Sequence, residues 1–275
     1  MIRTFAATIR PRWAAVLLAI LLLAGPAWAA ETNKFALGLG FEFASGDYGT
    51  DTTTRSVRVP LTFDYAPTDR LDFELVVPFL YQSNGNVIIT GGGGMGVGRG
   101  RGTTGQTTGT ASSDSQSGLG DTTLTAGYVV VTETASRPAV RPLLYLKFPT
   151  GDKDKSLGTG EFDVGAGLGL SKWFGSWYSF AEGRYILQGS NAELGLKDYA
   201  TFEAEGGYLV SRRFLPTIDV WWSSATTDAG SDQAELRLKG KYWLSNTLRL
   251  EPYLGKGLTN QSANYGAGLA LFYFF

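Results

Sequence analysis

FALGLGFEFA, Phe35 to Ala44, decides the fold. Phe35, Leu37, Leu39, Phe41 and Phe43 are apolar, and Gly38, Gly40 and Glu42 lie between them. Successive strand side chains point to opposite faces, so a period of two gives each strand one greasy and one polar face. RVPLTFDY repeats the pattern, with Val59, Leu61, Phe63 and Tyr65 against Arg58, Thr62 and Asp64. LDFELVVPF does so again, with Leu71, Phe73, Leu75, Val77 and Phe79 against Asp72 and Glu74. After Glu31 no segment keeps a helical period.

The same alternation runs through 122–132, 140–150, 162–172, 177–188, 199–210, 214–225, 233–243, 247–257 and 264–275. Together these predict about 12 strands of roughly 10 to 12 residues, against about 5 to 6 for ordinary strands and 9 to 11 for tilted membrane-spanning ones. Short connections (APTD, WFGS, SRR, LSN, the longer ETASRPA) alternate with long polar ones such as SGDYGTDTTT and GSNAELGLK. An even strand number with short periplasmic turns and long surface loops is the pattern of outer-membrane barrels. The expected fold is therefore all-β, a transmembrane antiparallel β-barrel in the outer membrane of a Gram-negative bacterium, in contact with its lipid. The chain ends LALFYFF, with Leu269, Leu271, Tyr273 and Phe275 on one parity. This resembles the terminal strand, ending here at Phe275, that the barrel-assembly machinery recognises. A soluble protein exposing such a strand would risk edge-to-edge aggregation.

Composition removes whole classes of chemistry. Among 275 residues there is no cysteine and no histidine, so thiolate and imidazole metal sites and His-based triads are absent. Alternating acids such as Glu203 and Glu205 suit ion pairs better than acid–base catalysis, and neither an enzyme nor a cofactor is expected. Charged residues are 18% of the chain, below the soluble average of about 25%.

At the N-terminus, Arg3, Arg10 and Arg12 precede the apolar run Trp13 to Ala24 and the small residues Ala27 and Ala29. This predicts a signal peptide over 1–29, with a barrel over 30–275; the run is too short for a membrane helix of about 20 residues. Removing it takes three of 24 basic residues and none of 25 acidic ones, leaving a net charge of −4. An acidic balance argues against a nucleic-acid partner.

ITGGGGMGVGRGRGTTGQTTG, Ile89 to Gly109, twice holds Gly-x-Gly-x-x-Gly. A dinucleotide cradle needs a helix to open on those glycines, and Gly, Thr and Ser simply continue to Ser117. The segment 89–117 reads as a flexible surface loop, with folding inward to narrow a pore as the functional alternative. The loop around Asp152, Asp154 and Ser156 has calcium-like spacing, but Leu157 replaces the turn glycine and Asp163 the closing glutamate. No metal site is expected.

Parity assigns the lumen. Its charged positions are Arg58, Asp64, Asp72, Glu74, Lys147, Asp163, Glu182, Arg184, Glu203, Glu205, Asp219, Glu235, Arg237, Lys239, Lys241, Arg249 and Glu251. Expected cross-strand pairs are Lys147 with Asp163, Arg184 with Glu203 or Glu205, and Arg237/Lys239 with Glu251. Arg184, Arg237, Lys239 and Lys241 would bias one wall toward anions, and Tyr145 and Trp221 would offer apolar contact to a small-molecule solute. Gly165, Gly167 and Gly169 form a stripe that marks either strong curvature or a smooth wall for a permeant.

SGLGDTTLTAGY (Ser117–Tyr128) and LLYLKFPTGDKDKSLGTGEFDVGAGLGLSKWFG (Leu143–Gly175) carry a family resemblance. Gly118–Asp121, Pro149–Asp152, Gly158/Gly160 and Ser171–Lys172 resemble the pattern of outer-membrane transporters associated with the meta-cleavage pathway of phenol degradation. The resemblance implies a barrel and the passage of aromatic or other hydrophobic compounds. The expected function is passive uptake of such solutes; a closed barrel acting through its surface loops is the alternative.

Overall fold

The structure is a computed structural model describing residues 34–84, 87–90, 104–107 and 114–275. The signal peptide expected over 1–29 lies outside the described residues, as does much of the glycine-rich loop.

Strands β1 (Phe35–Gly46), β2 (Thr54–Tyr65) and β3 (Leu71–Gln82) open the chain. A small separate hairpin follows, β4 (Val87–Thr90) with β5 (Thr104–Thr107). β6 (Gln116–Leu119) and β7 (Thr122–Tyr128) act as one interrupted wall strand against β3. Then come β8 (Ala139–Phe148), β9 (Asp163–Phe174), β10 (Trp177–Leu187), β11 (Tyr199–Tyr208), β12 (Phe214–Ser223), β13 (Gln233–Trp243), β14 (Leu248–Gly257) and β15 (Tyr265–Phe274). Each wall strand pairs antiparallel with its neighbours, and β15 returns to β1, closing a twelve-stranded barrel. At the seam, Phe35 and Phe275 exchange two backbone hydrogen bonds, at 3.1 and 2.9 Å.

The period of two becomes a radial sorting. Outward positions hold leucine, isoleucine, valine and aromatics, and Leu144, Leu254 and Ile218 are each more than half exposed. Only lipid makes such a surface favourable around a closed ring of strands. Outward rings gather at both rims: Phe35, Tyr65, Tyr242, Tyr273 and Phe275 beside the short turns, and Tyr81, Tyr185 and Trp222 beside the long loops. Phe35 stacks on Tyr65 at 4.6 Å. The tightest turn joins β9 to β10 through Gly175, whose φ of +63° suits a residue without a side chain.

The β6–β7 interruption has a local cause. Phe79 pairs with Leu119, but Val76 pairs with Thr123, so the β6–β7 side carries one extra residue. The bulge falls at Gly120 and Asp121, opposite Pro78, which has no N–H to give the ladder. At its other end β7 stops at Tyr128, short of the expected Thr132. Val130 and Val131 both donate to the Val140 carbonyl, a second bulge that ends regular pairing. Beyond it the turn folds back on β9, where the Lys172 ammonium is held by the Thr134 carbonyl and, at 3.2 Å, by that of Ala135.

Candidate functional site: the lumen and its vestibule

The lumen begins as alternation. Burial along β11 to β13 falls on Glu203, Glu205, Asp219, Trp221, Glu235, Arg237 and Lys239, each under 9% exposed. Register decides which of these meet. Glu205 lies opposite Asp219, and Asp219 opposite Arg237. Lys239 lies opposite the small Thr217, so its long side chain crosses β12 to reach β11. There its ammonium sits 2.8 Å from Glu205, 3.0 Å from Glu203 and 3.6 Å from Asp219. Arg237 binds Glu235 at 2.8 Å and Asp219 at 3.5 Å, with its guanidinium 5.2 Å from the Trp221 ring centre. Glu203, Glu205 and Asp219 together are close enough to hold a cation, and the Lys239 ammonium lies against all three.

Two expected pairings differ from what register allows. Arg184 binds Glu182 on its own strand at 2.6 Å rather than Glu203 or Glu205, because an i, i+2 neighbour on the same face is already in reach. Glu251 binds Arg249 at 2.6 Å in the same way, leaving Arg237 and Lys239 to β11 and β12. The expected Lys147–Asp163 pair forms at 2.7 Å. Glu42 pairs with Arg58 at 3.0 Å, and Arg141 with Asp72 and, at 3.5 Å, with Glu182. Glu42, Arg141 and Asp121 were missing from the sequence list. Arg141 shares the parity of Tyr145 and Lys147, so alternation could have found it. Asp121 sits in the bulge, where alternation fails.

Asp121 organises the long-loop end. Its carboxylate accepts the Gly151 N–H at 3.0 Å and the Thr159 N–H at 3.2 Å, and faces the Lys147 ammonium at 3.5 Å. Lys147 also donates to the Thr159 hydroxyl at 2.7 Å. Gln82 donates to the Ser156 carbonyl at 3.1 Å. The loop 149–162 is thereby pulled inward, and Leu157 is fully buried. A Cβ at Gly158 would lie 2.3 Å from an Asp121 oxygen, so any side chain there would displace that carboxylate. The loop 47–53 also turns inward, burying Tyr48, and Ser262 and Ala263 are buried beside it.

The short-turn end is hollow. A cavity of about 380 Å³ is lined by Asp64, Glu74, Arg184, Lys241, Trp243 and Arg249, among others. Its innermost lining residues include Leu215, Glu251 and Phe272, each under 5% exposed. Arg249 lies within 6 Å of the ring centres of Trp243, Phe272 and Phe274, and Lys241 is 5.4 Å from that of Tyr178. A smaller cavity of about 230 Å³ adjoins it and shares Asp72, Arg141 and Tyr178.

The nine residues singled out from sequence thus divide. Arg184 and Lys241 line the vestibule. Arg237, Lys239 and Trp221 sit in the buried network above it, and Tyr145 packs with Ile186 and Tyr199. Gly165, Gly167 and Gly169 make room for neighbouring groups: a Cβ at Gly167 would meet the Gly183 carbonyl at 2.5 Å and Arg184 at 2.9 Å.

Closed ring, lipid-facing exterior and charged interior define the class, an outer-membrane β-barrel. Residues 84–275 match the family described as "Putative MetA-pathway of phenol degradation", and the chain belongs to that family. The structure is similar to the COG4313 outer membrane channel from Pseudomonas putida F1, with 18% identity and a TM-score of 0.65 over 91% of this chain and 98% of that one. It is also similar to the NanC porin, with 10% identity and a TM-score of 0.50 over 87% and 99% of the two chains. At these identities the likeness concerns the fold. Comparison with curated proteins returns no match. The barrel resides in the outer membrane of a Gram-negative bacterium; short turns of such barrels lie on the periplasmic side, the side that the vestibule would then face.

Proposed function

We propose that this barrel is a channel for passive passage of small aromatic or hydrophobic solutes, and that the periplasmic vestibule is where they are held. The carrying observation is its lining, with rings (Trp243, Phe272, Phe274, Tyr178) beside cations (Arg249, Lys241, Arg184) around about 380 Å³. Apolar walls with a few placed polar groups suit a small amphipathic ligand. Family membership supports the same reading. Transport would be diffusive, since the sequence has no Gly-x4-Gly-Lys-Ser/Thr motif, and nothing in the reading calls for catalysis.

The test is single-channel conductance of refolded 30–275 in a planar bilayer, with benzoate added from either side. Discrete openings, blocked by benzoate from the periplasmic side and less so in Arg249→Gln, are expected. A second reading, a closed barrel acting through its surface loops, is favoured by the buried ion pairs and the inward loop 149–162. A barrel that folds, never conducts and admits no phenol into vesicles would support it and overturn the channel.

A further inference from the structure

Among the described residues, the outward positions of the twelve wall strands carry only three charged side chains, Arg55, Lys172 and Lys256. All three are cations. Lys172, at the periplasmic rim, is 8% exposed and already spoken for by backbone carbonyls. Arg55 and Lys256 are different. Both are exposed, both lie at the surface-loop end, and no ion pair holds either among the described residues.

The register brings them together across the barrel seam. Arg55 pairs with Ser45, Ser45 with Tyr265, and Tyr265 with Lys256. Three strand spacings separate the two cations, about 14 Å at roughly 4.8 Å each. Between them Tyr265 is 55% exposed on the outer face. The nearby acid Asp47 is engaged elsewhere, accepting from the Thr53 hydroxyl at 2.7 Å and the Asn264 amide at 3.3 Å. Two exposed cations flanking a phenol, with no carboxylate on the same outer face, suit an anionic headgroup lying against the wall.

We infer that this row binds the phosphates of a phosphorylated glycolipid in the outer leaflet. Clustered Lys and Arg at headgroup level attract anionic lipid, and guanidinium matches phosphate geometry. The site lies on the outside of the wall, independent of anything the lumen does. It would fix one face of the barrel, the β1–β15 seam, against glycolipid.

Refolded 30–275 in zwitterionic detergent, titrated with bis-phosphorylated lipid A and followed by native mass spectrometry, tests this. Wild type should bind saturably, and Arg55→Ala with Lys256→Ala should weaken binding at least tenfold. The charge-retaining pair Arg55→Lys with Lys256→Arg should keep most of it, as should Lys172→Ala. Heat-modifiable gel mobility checks that each variant is folded. Equal binding by the double-alanine variant, or of lipid A stripped of its phosphates, overturns the proposal. So does phosphatidylglycerol binding as tightly as lipid A, which would make the row a general anionic-lipid contact.

Discussion

At the scale of single residues, the interior is held by charges that cannot be removed one at a time. Lys239 lies against Glu203, Glu205 and Asp219, all under 9% exposed. Replacing it by methionine leaves three acids facing one another without the ammonium they share. Breaking a buried pair by removing one partner costs about 3–5 kcal/mol, so Lys239→Met should lower the urea midpoint of the refolded barrel by that equivalent. Asp121→Ala should cost a similar amount, since it strands the Gly151 and Thr159 N–H groups as well as part of the Lys147 charge. Gly158→Ala drives a methyl into the same carboxylate and should cost about 1–3 kcal/mol, the usual range for overpacking. Midpoints unchanged from wild type would mean the loop 149–162 does not depend on this contact.

At the scale of the strand, the wall is sorted by which face each residue presents, and depth sets the penalty for error. Leu144 lies near the middle of β8, with 61% of its surface exposed, and Leu187 at the long-loop end of β10, with 55%. Arginine on the lipid face costs about 2–4 kcal/mol at the midplane and about 0–1 near the interface. Leu144→Arg should therefore reduce the heat-modifiable, folded fraction sharply, whereas Leu187→Arg should barely alter it. Alternation made this sorting legible in the sequence. It put Glu203, Asp219 and Arg237 inside without a structure, and set strand ends within a few residues. It could not supply partners. Whether Lys239 meets Glu251 or Glu203 depends on a register that no single strand encodes, and on Thr217 being small enough to reach across. Alternation also failed where the period breaks, at the Gly120–Asp121 bulge and at Val130–Val131. At the first of these the motif Gly118–Asp121 carried a family resemblance, and its physical meaning appears only where Asp121 meets the amides of a loop some 30 residues away.

For the whole molecule, the two ends differ. The surface end is packed with Tyr48, Leu157 and Ala263, and the periplasmic end is hollow. The cations Arg184, Arg237, Lys239 and Lys241 are each matched by an acid, with Lys241 bound to Glu205 at 3.2 Å. Lys241 is half-buried and lines the vestibule, so it can be changed without emptying the network above it. Lys241→Glu should shift the reversal potential toward cations in a salt gradient. An unmoved potential would take Lys241 off the permeation route.

The Asp121 contact also bears on how such chains can diverge. Its parts, an acid in an interrupted strand and glycines at 151 and 158, are scattered along the sequence but form one object in space. Once the acid is lost, Gly158 has no carboxylate to make room for, whereas Gly151 still passes the Leu157 carbonyl, 2.4 Å from where its Cβ would lie; once Gly158 gains a side chain, the acid has no place to sit. Asp121 and Gly158 should therefore be inherited as a pair. Across related chains they should be kept together or lost together, while the loop residues Lys153 and Lys155 between them drift freely.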